Sequence, residues 1–164
     1  MHPLCNLPSQ IPPYSFTVPD GWEEVPTSIA DLGGAEVDLR FKDTRAADSG
    51  ANIAVVVAPV LRFADVGFQA DVRIEQLVTL DRLIKAFGPE LTGETVDDGN
   101  VAHAEQVTRG PLTYYQYELK DLPRTAHVLV SATAFRNRVY LLVIASNSLA
   151  WRRSKEELRG IWSV

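Results

Sequence analysis

Four apolar-rich segments follow one another near the end of this chain with almost nothing between them: residues 101–108, 112–119, 127–134 and 138–146. The links Arg109-Gly110-Pro111 and Arg136-Asn137 are tight-turn sequences. Parallel strands need a crossover of a dozen or more residues, which these links cannot supply. Sequential antiparallel hairpins are therefore the expected arrangement. Any fold for the chain must be built around that meander.

The residues before it add strands and one helical pattern. Val37, Leu39 and Phe41 alternate with Asp38, Arg40 and Lys42, the period of a half-buried strand. Residues 53–58 are apolar at every position, as expected of a strand covered on both faces. A short strand is expected at 14–18, stopped by the turn cluster Pro19-Asp20-Gly21. Residues 44–52 and 92–100 read as polar loops. From Ile74 to Phe87 the period changes: Leu77, Leu80, Ile84 and Phe87 form one stripe of an amphipathic helix, and Gly88-Pro89 is expected to stop it. A last helix is expected over 149–161, capped by Asn147 or Ser148. Trp151 and Trp162 lie near one face of it and belong to the core. The predicted fold class is α+β, a twisted antiparallel sheet of six or seven strands sandwiched between helices.

Pro3, Pro8, Pro12 and Pro13 make residues 1–13 an extended arm, and residues 14–164 a single domain. No segment reaches the roughly 18 apolar residues of a spanning helix. Cys5 is the only cysteine, so neither an internal disulfide nor a Cys-based zinc cluster can form. The net charge of −5 is unevenly distributed. Residues 1–108 hold 17 acidic and 7 basic side chains, whereas residues 109–164 hold 4 and 9.

Catalytic motifs are absent. Ser131, His127 and Asp121 could be written as a triad, but no G-x-S-x-G elbow accompanies them and Ser131 falls in mid-strand. Gly33-Gly34 lacks the remainder of a phosphate loop, and Asp97-Asp98 lacks the ligand density of a calcium loop. His103 and Glu105 share one strand face and could form a surface metal or proton site. The basic set Arg136, Arg138, Arg152, Arg153, Lys155 and Arg159 suggests protein docking. Nucleic acid is disfavoured by the acidic balance of the chain as a whole.

Several strings resemble the PsbP family. Tyr14-x-Phe16-x-Val18-Pro19-x-Gly21-Trp22 resembles that family's opening strand and turn, and Val37-x-Leu39-Arg40-Phe41-x-Asp43 and Asn52-Ile53-x-Val55 resemble its next two strands. Tyr114-Tyr115-x-Tyr117, His127-x-Leu129-Val130-x-Ala132-Thr133, Tyr140 and Trp151 are similar to its later strands and final helix. The resemblance implies a non-enzymatic extrinsic protein of the chloroplast thylakoid lumen, in mature form with its leader removed. It would be peripheral to the membrane and monomeric when free. Its partners would be a photosystem I or II core or an assembly intermediate, and the role that of an accessory or assembly factor. The founding member helps photosystem II retain the calcium and chloride of its oxygen-evolving complex. Alternatives are a subunit of the thylakoid dehydrogenase-like complex, or an interaction module outside plastids similar to the Ran-binding Mog1 proteins.

The resemblance also implies a metal contact at His127, where founding-type members pair a histidine with an acid before the last helix. Ser148 stands at roughly the acid's position. A hydroxyl is a poor replacement for that carboxylate, so at most weak binding of calcium, manganese or zinc is expected. Arg136, Arg138, Arg152, Arg153 and Arg159 are the expected partner-binding residues.

Overall fold

The computed structural model describes residues 16–26, 36–45, 50–60, 63 and 72–162. The Pro-rich stretch 1–13 lies outside them. Seven strands form one antiparallel sheet: β1 (Trp22–Glu24), β2 (Glu36–Asp43), β3 (Ala51–Pro59), β4 (Val101–Arg109), β5 (Leu112–Leu122), β6 (Ala126–Phe135) and β7 (Arg138–Ser146). Their order is β1-β2-β3-β7-β6-β5-β4. The hairpin meander read from the sequence is thus one half of the sheet. The apolar strand β3 pairs with β7 and joins it to the other half.

Helices α1 (Ile74–Leu77) and α2 (Leu80–Thr92) cover one face of the sheet, and α3 (Ser148–Trp162) covers the other. Ile74, Leu77, Leu83, Ile84 and Phe87 pack on Tyr115, Tyr117, Val130 and Leu141. Trp151, Leu158, Ile161 and Trp162 pack on Ile53, Val55, Leu129 and Ile144. Full burial of each such side chain is worth about 1.5–3 kcal/mol, so both helices are held chiefly by their apolar faces.

Four local expectations are corrected. The first strand is Trp22–Glu24; of residues 14–18, Val18 makes only an isolated bridge and Tyr14 lies outside the described residues. Gly21, at φ +94°, turns the chain into β1, a backbone region open to glycine. The loop expected over 44–52 is shorter, because Ala51 and Asn52 already pair with β7.

The single helix expected from Ile74 is two, broken at Val78 and Thr79, both in extended conformation. The Thr79 hydroxyl caps α2 by accepting from the Arg82 N–H at 3.3 Å. The Tyr115 hydroxyl donates to the Val78 carbonyl at 2.8 Å, and Tyr117 donates to the Leu80 carbonyl at 2.6 Å. The aromatic strand therefore satisfies carbonyls at the break.

Gly88-Pro89 does not end α2, which runs to Thr92, the first residue of the loop expected over 92–100. The Thr92 hydroxyl donates to the Gly88 carbonyl, and Gly93, at φ +74°, closes the turn with its N–H on the Pro89 carbonyl at 2.8 Å. Gly88 serves packing instead: a Cβ there would sit 3.1 Å from Val96 Cγ2.

The last helix agrees with expectation. Asn147 is its N-cap, accepting from the Ala150 N–H at 2.8 Å. Both tryptophans are buried, and the helix bends at Ser154, whose φ/ψ are non-helical.

Candidate functional site

His127 lies near the start of β6, opposite Ser146 of β7. Its ring stacks on Trp151 of α3, with centroids 4.4 Å apart and planes 7° from parallel. The Arg159 guanidinium carbon sits 5.1 Å from the same indole. Arg159 donates from Nε and Nη2 to Glu118 Oε1, both at 2.9 Å. Four side chains from β5, β6 and α3 are thereby assembled into one site. Burial holds the His127 imidazole below its ordinary 6.5, partly opposed by Glu118 and Asp121 and reinforced by Arg159. Its Nδ1 is buried with no hydrogen-bond partner among the described residues.

Glu118 is the carboxylate that sequence reasoning missed. Leu122 pairs with Ala126, and continuing that register would place Glu118 opposite Val130, on the far face of the sheet from His127. Between Leu119 and Leu122 the register shifts by one, with Asp121 at φ +56°, so that Glu118 pairs with Leu129 instead. A one-residue slip exchanges the faces of a strand, and here it brings Glu118 to the face of His127. Nothing in the local sequence marks that bulge.

Chemically, the site offers a neutral imidazole next to a carboxylate already neutralised by arginine. Ser148 is exposed in the first turn of α3. Among the described residues no three of His, Cys, Asp and Glu are grouped to hold a metal. His103 Nε2 and Glu105 Oε1 are 3.5 Å apart on β4, both exposed. Asp98 is paired with Lys85 at 2.8 Å. Ser131 is four residues along β6 from His127, roughly 13 Å at about 3.3 Å per residue, too far for a triad.

The five predicted docking arginines do not form one patch. Arg136 and Arg138 lie at the β6–β7 turn, and Arg152 and Arg153 follow the opposite end of β7. The nine-residue strand between them spans roughly 26 Å. Arg159 is committed to Glu118 and Trp151.

A second charged group, also unread in the sequence, ties β2 to α3. Asp43 is buried, and Arg45 donates to it from Nε and Nη2 at 2.9 Å each. Arg45 also donates to both oxygens of Glu157, at 2.9 and 2.7 Å. The Trp22 indole N–H adds a bond to Glu157 at 3.0 Å. The Arg45 hydrogen bond is the largest effect holding the Asp43 carboxyl below its ordinary range, and Arg153 contributes from a distance. Burial would raise Glu157, but its bonds from Arg45 and Trp22 outweigh that and leave it lowered.

A seven-stranded antiparallel sheet with a helix pair on one face and a kinked helix on the other defines a mixed α+β sandwich. The PsbP family model matches residues 9–163, and the chain belongs to that family. It is 46% identical over 155 residues to PsbP domain-containing protein 4, chloroplastic, of Arabidopsis thaliana, covering 94% of this chain and 56% of that protein. It is 25% identical over 161 residues to PsbP domain-containing protein 6, chloroplastic, of the same plant, covering 92% and 59%. The chain thus spans less than two thirds of the length of either relative. The solution structure of cyanobacterial PsbP (CyanoP) from Synechocystis sp. PCC 6803 superposes with a TM-score of 0.62 at 22% identity, covering 91% of this chain and 83% of that one.

Proposed function

We propose that this protein is a non-enzymatic accessory or assembly factor that binds a photosystem I or II core, or an assembly intermediate, on the lumenal side of the chloroplast thylakoid. The observation that carries this reading is the 46% identity, over 94% of the chain, to a chloroplastic PsbP-domain protein. The chemistry of the described surface is in keeping with it. The one stacked histidine site has its carboxylate occupied by arginine, whereas exposed arginines lie at both ends of β7. Arginine forks match carboxylates bidentately, so an acidic protein surface is the natural counterpart.

The test is to titrate tagged protein onto salt-washed thylakoids and resolve the captured species on native gels. Co-migration with a photosystem or an assembly intermediate is expected, with binding that weakens as salt rises, because charges more than about 8 Å apart are screened at physiological ionic strength. Failure to co-migrate with either photosystem or with any assembly intermediate would sink the reading. On the metal side, the neutral His127 and the engaged Glu118 should hold zinc, manganese or calcium only weakly. Calorimetry that found a tight one-to-one site requiring His127 would overturn that expectation.

A further inference from the structure

The end of the sheet that carries the β4–β5 and β6–β7 turns has a small groove of about 190 Å³. Val72, Leu112, Ala134 and Phe135 line it together with the exposed Arg73 and Arg136. Arg136 is presented by a turn in which it and Asn137 hold φ of +48° and +66°, and its guanidinium carbon lies 5.1 Å from the Phe135 ring. The pairing of Arg109 with Leu112 and of Arg138 with Phe135 extends positive charge along the same end. Arg109 lies 5.7 Å from the Tyr114 ring, yet its Nη1 is buried with no hydrogen-bond partner among the described residues. None of these four arginines makes an ion pair with a described residue. Among the described residues, Glu75 accepts from the Thr113 hydroxyl, and Asp38 acts on Tyr140 alongside Arg136 and Arg138. In a chain of net charge −5 this is a concentrated basic end.

We infer that this groove docks an acidic polypeptide segment that inserts one apolar side chain between Arg73 and Arg136. The inference deepens the proposed function, on which it rests, by naming the surface and the chemistry of what it receives. The volume is below the roughly 300–1,000 Å³ of pockets that enclose a drug-sized ligand, and suits a single anchor residue. Charge complementarity supplies the rest, since flanking carboxylates would meet forked guanidinium groups that form no ion pair with a described residue. An anionic membrane is a poorer occupant. The large apolar residue most exposed among the described ones is Leu149, at 57%, and it opens α3 at the other end of β7.

The test uses the whole chain and a fluorescein-labelled peptide of Glu and Asp around a central Phe. Two control peptides replace the Phe by Ala, or the acids by Gln. Saturable binding is expected for the first peptide, weaker binding for both controls, and amide shifts at Leu112 and Phe135. Both arginines are exposed, so the variant Arg73→Glu with Arg136→Glu should fold normally, as near-ultraviolet circular dichroism would verify. It should bind the peptide roughly tenfold or more less tightly. Arg152→Glu with Arg153→Glu should leave peptide affinity unchanged. Undiminished binding by the groove variant, or equal binding of the Ala peptide, overturns the inference. So does capture of the chain by phosphatidylcholine–phosphatidylglycerol vesicles that is lost in that variant. Salt-washed thylakoids separate the two readings. Capture that the groove variant retains keeps the accessory role and rejects the groove. Peptide binding lost in that variant, with no thylakoid capture of either form, keeps the groove and rejects the role.

Discussion

Asp43 and His127 both titrate below their ordinary values, Asp43 through a hydrogen-bonded arginine that outweighs burial and His127 through burial itself, with different consequences for pH. Asp43 titrates below its ordinary 3.8 in the folded chain, chiefly through the Arg45 hydrogen bond. Its ionised form therefore stabilises the fold above that value, and the contribution is lost as pH falls through the lowered one. Asp43→Asn should cost about 1.5–3 kcal/mol, the range for hydrogen bonds to charged groups, since Arg45 remains 40% exposed and can be rehydrated. Urea midpoints would measure this, and a loss no larger than in Lys42→Gln would show that the Arg45 link is idle. His127 carries a partner-free Nδ1 and a lowered pKa, so the unfolded chain takes up the proton more readily. Its contribution is complete above about 6.5 and declines as pH drops below. Replacing Arg159 with Gln removes one positive neighbour and frees Glu118. The imidazole pKa, followed by NMR, should rise in that variant. A fall would mean that loss of the Trp151–Arg159 contact buries the ring further.

At the scale of elements, the docking of α3 depends on one small space. The Asn147 N–H donates to the Gly50 carbonyl at 2.8 Å, and a Cβ on Gly50 would come within 2.5 Å of the Asn147 side chain. Gly50→Ala should therefore displace the cap and cost about as much as Asn147→Ala, roughly 1 kcal/mol, with the double variant little worse than either. Additive losses in thermal unfolding would show that Gly50 and the cap act independently. The hairpins and β3 were legible because alternation and continuous apolar runs encode faces directly, and α3 because Asn147 and the two tryptophans mark its start and its face. The misreadings share a physical origin in partners distant along the chain. Leu80 continues the apolar stripe from Leu77, yet the chain breaks between them where Thr79 caps and Tyr115 completes Val78. Pro89 looks like a stop, but Thr92 and Gly93 finish the turn around it. Glu118 reaches His127 only through the bulge after Leu119, and Arg45 meets Glu157 only once α3 is folded back.

At the scale of the whole molecule, the sheet formed by the described residues has two edges, and they are unequal. β1 is three residues long, whereas β4 presents nine, exposed on both faces from Ala102 to Gln106. A long unpaired row of N–H and C=O groups is a template for pairing with another chain. Two features guard it: a register shift between Val101 and His103, and the charged residues Glu105 and Arg109 with His103 between them and the shift. The bulge twists the edge away from a flat partner, and an incoming strand would have to desolvate the charges. The free protein is therefore expected to sediment as a monomer. Replacing both His103 and Glu105 with Val removes the polar guard and raises strand propensity on a surface where packing sets no limit. That variant should keep its near-ultraviolet spectrum, because neither side chain is buried, and should associate as its concentration rises. Sedimentation velocity over a concentration series reads this directly. If the variant stays monomeric, the bulge alone protects the edge, and His103 and Glu105 have no part in keeping the chain apart from its copies.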